Sequence, residues 1–167
     1  QHNDNKMRSR NNEKLVKEYE EIVREYGIEH EKINLEITES ASLNEKHSLL
    51  DNMSKFIEKG IKFSLDDFGS GESNLNYIID MPVSIIKFDK DMTDAYFKSE
   101  KAKIVMDSAI NMIHKLGLKT VVEGVETKEQ FDAMLKIQTD YIQGYYFSKP
   151  LDVNDFVEYV LTSETKK

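Results

Sequence analysis

Short apolar runs alternate with helix-like stretches along most of this chain, and each run ends in a charged or amide side chain. The runs have the length and apolar content of buried strands. Between them, apolar residues recur at spacings of three and four, which predicts amphipathic helices. This alternation predicts an α/β fold with about five parallel strands. The five runs cover residues 33–39, 61–67, 84–89, 120–126 and 141–145.

Start and stop signals divide the rest of the chain. Capping boxes at Ser42–Glu45 and Thr127–Gln130 predict helix starts, and Asp152 predicts the cap of a last helix. Residues 1–11 are polar and aperiodic, so we interpret them as a disordered or severed segment before a domain over residues 12–167.

The inward faces of the helices follow from their apolar stripes. A long helix is predicted over residues 101–116, whereas residues 92–99 lack a clear period and indicate a loop or a frayed helix start. The residues predicted to be buried are Leu49, Leu50, Met53, Phe56 and Ile57, then Ile104, Val105, Ser108, Ile110, Met112 and Ile113, then Phe131, Met134 and Leu135, and finally Phe156, Val157, Val160 and Leu161.

Composition narrows the classes of partner. The net charge of −8 argues against binding to DNA or RNA polymers or to anionic membranes, because phosphates would be repelled. An acidic site can still hold a phosphoester through divalent cations. The absence of cysteine excludes disulfides and thiolate metal sites and fits a reducing cytoplasm. We therefore expect a cytoplasmic segment, either free or attached to a larger or membrane-anchored protein.

Carboxylates follow the first two predicted strands. Asp66 and Asp67 precede a glycine-rich turn, where they can act as hard oxygen ligands or simply as a helix cap or Asx turn. Side chains alternate between the two faces of a strand, so Glu36 points to the face opposite its neighbours Leu35 and Ile37. A carboxylate buried on that face needs a partner. Glu39 can brace a neighbouring loop or interact with a helix dipole.

Later strands add a lysine, two more acids and an amide. Lys87 interrupts an apolar run, and its charge is costly to bury without a carboxylate, with Asp89 or Asp67 as the candidate structural partners. It can alternatively polarise a water molecule or neutralise a phosphoryl oxygen. Glu123 and Glu126 flank Gly124, which allows close backbone approach. Gln143 places an amide beside the turn at Gly144.

Taken together, these residues favour a shared site over separate structural roles. The carboxyl ends of parallel strands lie at one edge of a sheet, which is where ligands bind in such folds. Four carboxylates there would repel one another by several kcal/mol. Two Mg²⁺ or Mn²⁺ ions would remove that repulsion, and two-metal sites are suited to phosphoester hydrolysis. The four acids are Glu36, Asp66, Asp67 and Glu123.

Five motifs, in order and spacing, resemble the EAL-domain family of bacterial phosphodiesterases, which linearise cyclic dimeric GMP (c-di-GMP) to pGpG. The resemblance covers residues 12–161 and implies part of a TIM (β/α) barrel that lacks its N-terminal strands. The motifs are Leu35-Glu36-Ile37-Thr38-Glu39, Asp66-Asp67-Phe68-Gly69-Ser70-Gly71, Ile86-Lys87-Phe88-Asp89, Val122-Glu123-Gly124-Val125-Glu126-Thr127 and Gln143-Gly144-Tyr145-Tyr146-Phe147-Ser148-Lys149-Pro150.

The resemblance also implies roles for these residues. The acids Glu36, Asp66, Asp67 and Glu123 match metal ligands, with Asp66 as the bridge between two Mg²⁺ or Mn²⁺ ions. Lys87 matches a lysine that helps to activate the attacking water. Gln143 and Glu126 match the substrate side of the pocket, and Glu39 matches the glutamate that anchors the loop after the aspartate pair. Glu72 departs from the aromatic residue that is frequent at this position of the loop in the family.

Two metal-binding positions of the family have no match here. The Glu-Ala-Leu strand would precede residue 1, and no strand pattern surrounds the asparagines near residues 3–5. We therefore expect weak or no turnover from a severed domain. The unpaired edge strands of such a domain would be covered by another chain, by a swapped segment or by extra strand pairing, for example in a homodimer. Fused sensory or GGDEF domains would fit a longer parent.

Two other functions compete with this interpretation. The first is a silent c-di-GMP receptor or protein-interaction module. The second is an unrelated barrel enzyme, such as a metal-dependent aldolase or an enolase-type lyase, which the aspartate pair and Gln143–Gly144 disfavour.

Overall fold

The computed structural model describes residues 16–38, 46–69 and 75–164, and five strands alternate with helices within these ranges. The strands are β1 (Asn34–Thr38), β2 (Lys62–Phe68), β3 (Ile85–Phe88), β4 (Lys119–Val122) and β5 (Tyr141–Ile142). All neighbouring pairs are parallel, and the strand order is β1-β2-β3-β4-β5. The predicted α/β fold with five parallel strands is therefore confirmed.

Helices connect the strands and also flank the sheet in sequence. After α1 (residues 16–25) and a short 3₁₀ helix (His30–Lys32), they are α2 (Lys46–Ile57), α3 (Leu75–Asp80), α4 (Lys90–Lys98), α5 (Glu100–Lys115), α6 (Lys128–Lys136) and α7 (Val153–Glu164). Among the described residues, no helix combines the length and apolarity needed to cross a bilayer.

The sheet is open in the described part of the chain. It does not curl round to pair β1 with β5, so these two strands form its edges. The register places Thr38 beside Asp66 and Phe88 beside Val122. The carboxyl ends of the first four strands therefore lie next to one another at one edge of the sheet.

The core lies between the sheet and the helices that follow its strands. Ile86, Phe88 and Val122 are fully buried in the central strands. They form one apolar cluster with Met53 of α2 and Met134 of α6, which are also inaccessible to solvent. This core fixes the central strands, and the polar side chains at their carboxyl ends are positioned as a result.

Two predicted helix starts are confirmed in detail. Thr127 Oγ1 accepts a hydrogen bond from the Gln130 amide at 3.2 Å, while Gln130 Oε1 accepts one from the Thr127 amide at 3.1 Å. Asp152 Oδ1 accepts from the amides of Asn154 (2.9 Å) and Asp155 (3.0 Å). The predicted Ser42–Glu45 box lies outside the described residues.

The interpretation of residues 92–99 as a loop or frayed helix start is wrong. Helix α4 runs from Lys90 to Lys98, and the Asp89 carboxylate caps it by accepting from the Met92 amide at 2.8 Å. Only Thr93 and Tyr96 are buried on this helix. A buried face of two residues, one of them polar, gives almost no hydrophobic period, so the helix is hard to recognise in the sequence.

Parts of the predicted inward faces are also wrong. On α5 the buried residues are Met106, Ile110 and Ile113, whereas Ile104 and Val105 are each 58% exposed. Leu135 and Ile57 are likewise exposed on their helices. In each case the chain carries more apolar residues than a single packed face accommodates.

The largest difference concerns α7. Its predicted core residues Phe156, Val157, Val160 and Leu161 are all exposed, by 37% to 61%. The helix forms where its Asp152 cap predicts it, but no other described element covers its apolar face. Its burial was predicted from amphipathicity, which says nothing about whether a partner surface is present.

Candidate active site

Three carboxylates from three strand ends surround one lysine. Lys87 Nζ on β3 lies 2.8 Å from Glu36 Oε1 on β1, 2.9 Å from Asp66 Oδ1 on β2 and 2.8 Å from Glu123 Oε1, directly after β4. These groups are separated by 21 to 87 residues along the chain and meet because adjacent parallel strands end together. We call them the Lys87 cluster.

Burial and charge both act on Lys87. Its side chain is only 10% exposed, compared with 49% for Glu36 and 22% for Asp66. Burial disfavours the ammonium form, but the contacts with Glu123, Glu36 and Asp66 outweigh that penalty and raise the pKa of Lys87 above its ordinary value. Lys87 is therefore a cation throughout the physiological pH range.

The cluster retains an excess of negative charge. Three carboxylates face one ammonium, and Glu123 Oε1 is buried without a hydrogen bond, so its 2.8 Å contact with Lys87 is an ion pair of poor hydrogen-bond direction. Hard oxygen donors with surplus negative charge suit Mg²⁺ or Mn²⁺ in type. Among the described residues, however, no three acidic or histidine side chains are arranged as a ready metal site. The Lys87 ammonium lies between Glu36, Asp66 and Glu123 instead.

The two adjacent aspartates have different environments. The pairing of β2 with β3 changes register between Leu65 and Phe68, and Asp67 adopts a left-handed backbone with φ of 57°. Asp66 consequently faces Lys87, whereas Asp67 is exposed. Such backbone conformations are costly for residues other than glycine and concentrate at functional sites. The structure thus joins Asp66, and not Asp67, to the Lys87 cluster.

The loop after β4 is held closely against its neighbours. The Glu123 amide donates to Phe88 O at 3.0 Å, which ties it to β3. Gly124 has a φ of +74°, and a Cβ there would lie 2.6–3.0 Å from Lys90 atoms, so its predicted role in close backbone approach is confirmed. Glu126 forms an exposed ion pair with Lys90 and takes no part in the cluster.

The end of β5 borders an aromatic cleft. Gln143 is exposed, and its backbone carbonyl accepts from the Val125 amide at 3.2 Å. It lines a cleft of about 330 Å³ together with Tyr145, Phe147 and Tyr159. The structure therefore places Gln143 directly after β5, beside Glu123 at the same edge of the sheet.

Some predicted residues fall outside this description, and others were missed. Glu39, Glu72 and the Ser70–Gly71 turn lie outside the described residues. Sequence reasoning missed Thr93, which is completely buried and contacts the backbone of Glu123. The available signal was Asp89, a preferred N-cap residue directly after a strand.

Comparison with known proteins gives a consistent result. The sequence profile of the EAL domain matches residues 6–150. The chain is 33% identical over 141 residues to the oxygen sensor protein DosP of Escherichia coli K12, and 34% identical over 144 residues to the cyclic di-GMP phosphodiesterase PdeL of the same organism. Each alignment covers 84% of this chain, but only 18% of DosP and 39% of PdeL.

A solved structure shares the fold. The EAL enzyme Bd1971, in its cAMP- and cyclic-di-GMP-bound form, superimposes with a TM-score of 0.82 at 29% identity. The match covers 87% of this chain and 38% of that one, so this chain spans well under half of each of these relatives. Its open sheet corresponds to part of the TIM-like barrel of such domains. With the profile match over most of its length, the chain belongs to the EAL domain family.

Proposed function

We propose that this chain carries the C-terminal part of a c-di-GMP phosphodiesterase site that opens one phosphodiester bond to give pGpG. The observation that carries the proposal is the convergence of Glu36, Asp66 and Glu123 on Lys87 at the carboxyl edge of the sheet. Family membership and the cyclic di-GMP phosphodiesterases among the relatives support the choice of substrate.

The proposed ligands are Glu36, Asp66, Asp67 and Glu123, holding two Mg²⁺ or Mn²⁺ ions. When bound, the ions would activate water and stabilise the leaving oxygen. Asp67 would have to turn inward from its exposed position, and the Lys87 ammonium would have to yield the centre of the cluster.

The remaining residues would position the substrate. Once the ions hold the carboxylates, the Lys87 ammonium would donate to a phosphoryl oxygen or to the attacking water. Gln143 would contact the substrate from the cleft, where the exposed rings of Tyr145 and Phe147 offer surfaces on which a guanine can stack. Glu126 would be an acid on the substrate side of the pocket, and Glu39 would anchor the loop after the aspartate pair.

We also propose that the 167 residues alone turn over weakly or not at all. Two ligands that the family resemblance implies, one from the Glu-Ala-Leu strand and one asparagine, have no match in the chain. Losing ligands from a metal lowers both its affinity and the precision of its geometry.

The test measures pGpG formation and c-di-GMP binding by the full chain in Mn²⁺ or Mg²⁺. We expect metal-dependent binding, with slow or undetectable hydrolysis. Lys87→Ala and Asp66→Asn should each weaken binding at least tenfold, and the exposed Lys62→Ala should leave it unchanged. Absence of both binding and hydrolysis would refute the proposed substrate, whereas rapid turnover would refute only the proposal that the site is incomplete.

A further inference from the structure

The first turn of α4 contacts two glycines that follow strands of the site. On one side, Gly69 lies against Met92, with the position of a glycine Cβ 2.5 Å from Met92 Sδ. On the other side, Gly124 lies against Lys90, whose Cα is 3.0 Å from the corresponding Cβ position. Gly69, directly after β2, and Gly124, directly after Glu123, therefore both lie against a single helical turn.

Thr93 makes the most specific contact of this turn. Its side chain is fully buried, and Oγ1 lies 2.6 Å from the Glu123 carbonyl oxygen and 3.1 Å from that of Asp89. A hydroxyl has one proton to donate, and the shorter distance favours Glu123 as the acceptor. The longer contact is the common local bond of a threonine to the carbonyl four residues earlier.

This contact completes the fixation of the Glu123 backbone. The Glu123 amide donates to Phe88 O on β3, and its carbonyl accepts from Thr93 on the helix that follows β3. Both bonds attach the Glu123 backbone to the segment of β3 and α4 that also carries Lys87. The peptide groups on either side of Glu123 are thus held, so its side chain has few ways to shift relative to the cluster.

We propose that Thr93 is a positioning residue, whose hydroxyl holds Glu123 in register with Lys87 and Asp66 for cation binding. The expected effect on cation affinity rests on the proposed function, whereas the expected effect on the loop does not. Thr93 does not touch the substrate or the ions in this role; it acts through the Glu123 carbonyl.

The experiment compares Thr93→Val, Thr93→Ser and Thr120→Val in the full chain. Valine keeps the shape of threonine and removes the hydroxyl, while serine keeps the hydroxyl. Thr120 is equally buried and also hydrogen-bonded, but it contacts Thr139 and Asp140, away from the Glu123 carbonyl. Each variant is measured for Mn²⁺ affinity by electron paramagnetic resonance and for amide hydrogen exchange at Glu123 and Val125.

We expect Thr93→Val to accelerate exchange at these two amides roughly fivefold or more relative to wild type, beyond any acceleration that a lower global stability causes. It should also weaken Mn²⁺ binding about tenfold, the usual scale for removing a group that orients a ligand. Thr93→Ser should restore both values to within about twofold. Thr120→Val should lower the melting temperature and leave both values unchanged.

The two readouts separate the two proposals. Wild-type exchange and wild-type affinity in folded Thr93→Val would overturn the role of Thr93, as would equal changes in Thr120→Val. If the wild-type chain binds no Mn²⁺, the metal part of the proposed function fails. Loop exchange then decides the role of Thr93, because faster exchange in Thr93→Val alone still supports it and unchanged exchange refutes it.

Discussion

At the scale of single residues, Lys87 supplies the counter-charge for three carboxylates at the sheet edge. The sequence predicted that a lysine inside an apolar run needs an acidic partner, and this is correct. The specific partners considered, Asp89 and Asp67, are wrong. Asp89 turns its carboxylate to the Met92 amide as a helix cap, and the left-handed backbone of Asp67 leaves it exposed. Both choices depend on backbone conformation, which residue type alone does not determine.

Replacing Lys87 should destabilise the protein. In Lys87→Met, three carboxylates keep their mutual repulsion and lose their cation. Removing one partner of a fully buried pair costs about 3–5 kcal/mol, and the partial exposure of these acids reduces the expected loss to about 2 kcal/mol. Urea unfolding in the presence of a chelator at pH 7 measures this loss. Lys62→Met, on the exposed side of β2, should change the free energy of unfolding by less than about 0.5 kcal/mol.

The pH dependence of the unfolding free energy tests the same interaction of Lys87 with its carboxylates. The pKa of Lys87 is raised above 10.5 in the folded state, so its stabilising contribution is complete below pH 10.5 and is lost as the pH rises through the folded value. The difference in unfolding free energy between wild type and Lys87→Met should therefore be constant from about pH 7 to 10 and shrink above 10.5. A difference that already shrinks between pH 7 and 9 would show that Lys87 is not held as described.

At the scale of elements, strands were easier to predict than helix faces. Each strand carries a dense apolar run that ends in a polar residue, so both its existence and its polar end are visible in the sequence. Helix α4 has only Thr93 and Tyr96 buried and gives almost no period. Ile104 and Val105 on α5 give a strong apolar signal yet remain exposed. Which apolar residues pack depends on the partner surface, and the sequence of one helix does not contain it.

The contact between the loops after β4 and β5 leads to an element-scale prediction about Gly144. A Cβ at Gly144 would lie 2.0 Å from Val125 O and 2.4 Å from Val125 N, both backbone atoms that cannot rotate away. Gly144→Ala should force the two loops apart and break the bond from the Val125 amide to Gln143 O. We expect a loss of about 3 kcal/mol in thermal or urea unfolding, at the upper end for overpacking.

Gly117→Ala is the matched control for this change. Gly117 has a φ of +77°, but nothing lies within 4 Å of its Cβ position. Alanine there should cost only the backbone strain, about 1 kcal/mol. Equal losses in the two variants would mean that the loops after β4 and β5 are not packed as closely as the structure has them.

At the scale of the whole molecule, the described residues leave two surfaces uncovered, namely the edges of the sheet and the apolar face of α7. Strand–helix alternation predicts the five parallel strands, whereas their sequential order is implied only by the resemblance to a barrel. What covers the edges does not follow, because it depends on polypeptide that pairs with β1 and β5. The chain spans less than half of the relatives described above.

The exposed apolar face of α7 predicts self-association of the isolated chain. Val153, Phe156, Val157 and Leu161 are 51% to 79% exposed on one helix, and exposed apolar patches of this kind mark association sites. We expect sedimentation velocity at micromolar concentrations to show dimers or larger species. The double variant Phe156→Ser, Leu161→Ser should raise the dissociation constant at least tenfold, since large side chains in an interface each contribute on the order of 1 kcal/mol or more.

The control uses an equally exposed apolar pair elsewhere on the molecule. Ile104→Ser, Val105→Ser removes two residues of 58% exposure from α5, where they are adjacent in sequence and follow no continuous stripe. If that variant dissociates the assembly and the α7 variant does not, association proceeds through α5. If the wild-type chain is a monomer at every concentration, the uncovered face is tolerated in water, and the expected edge-paired oligomer is wrong. Association lost only in the α7 variant would mean that this face is covered in solution, because removing apolar side chains there removes the free energy of burying them.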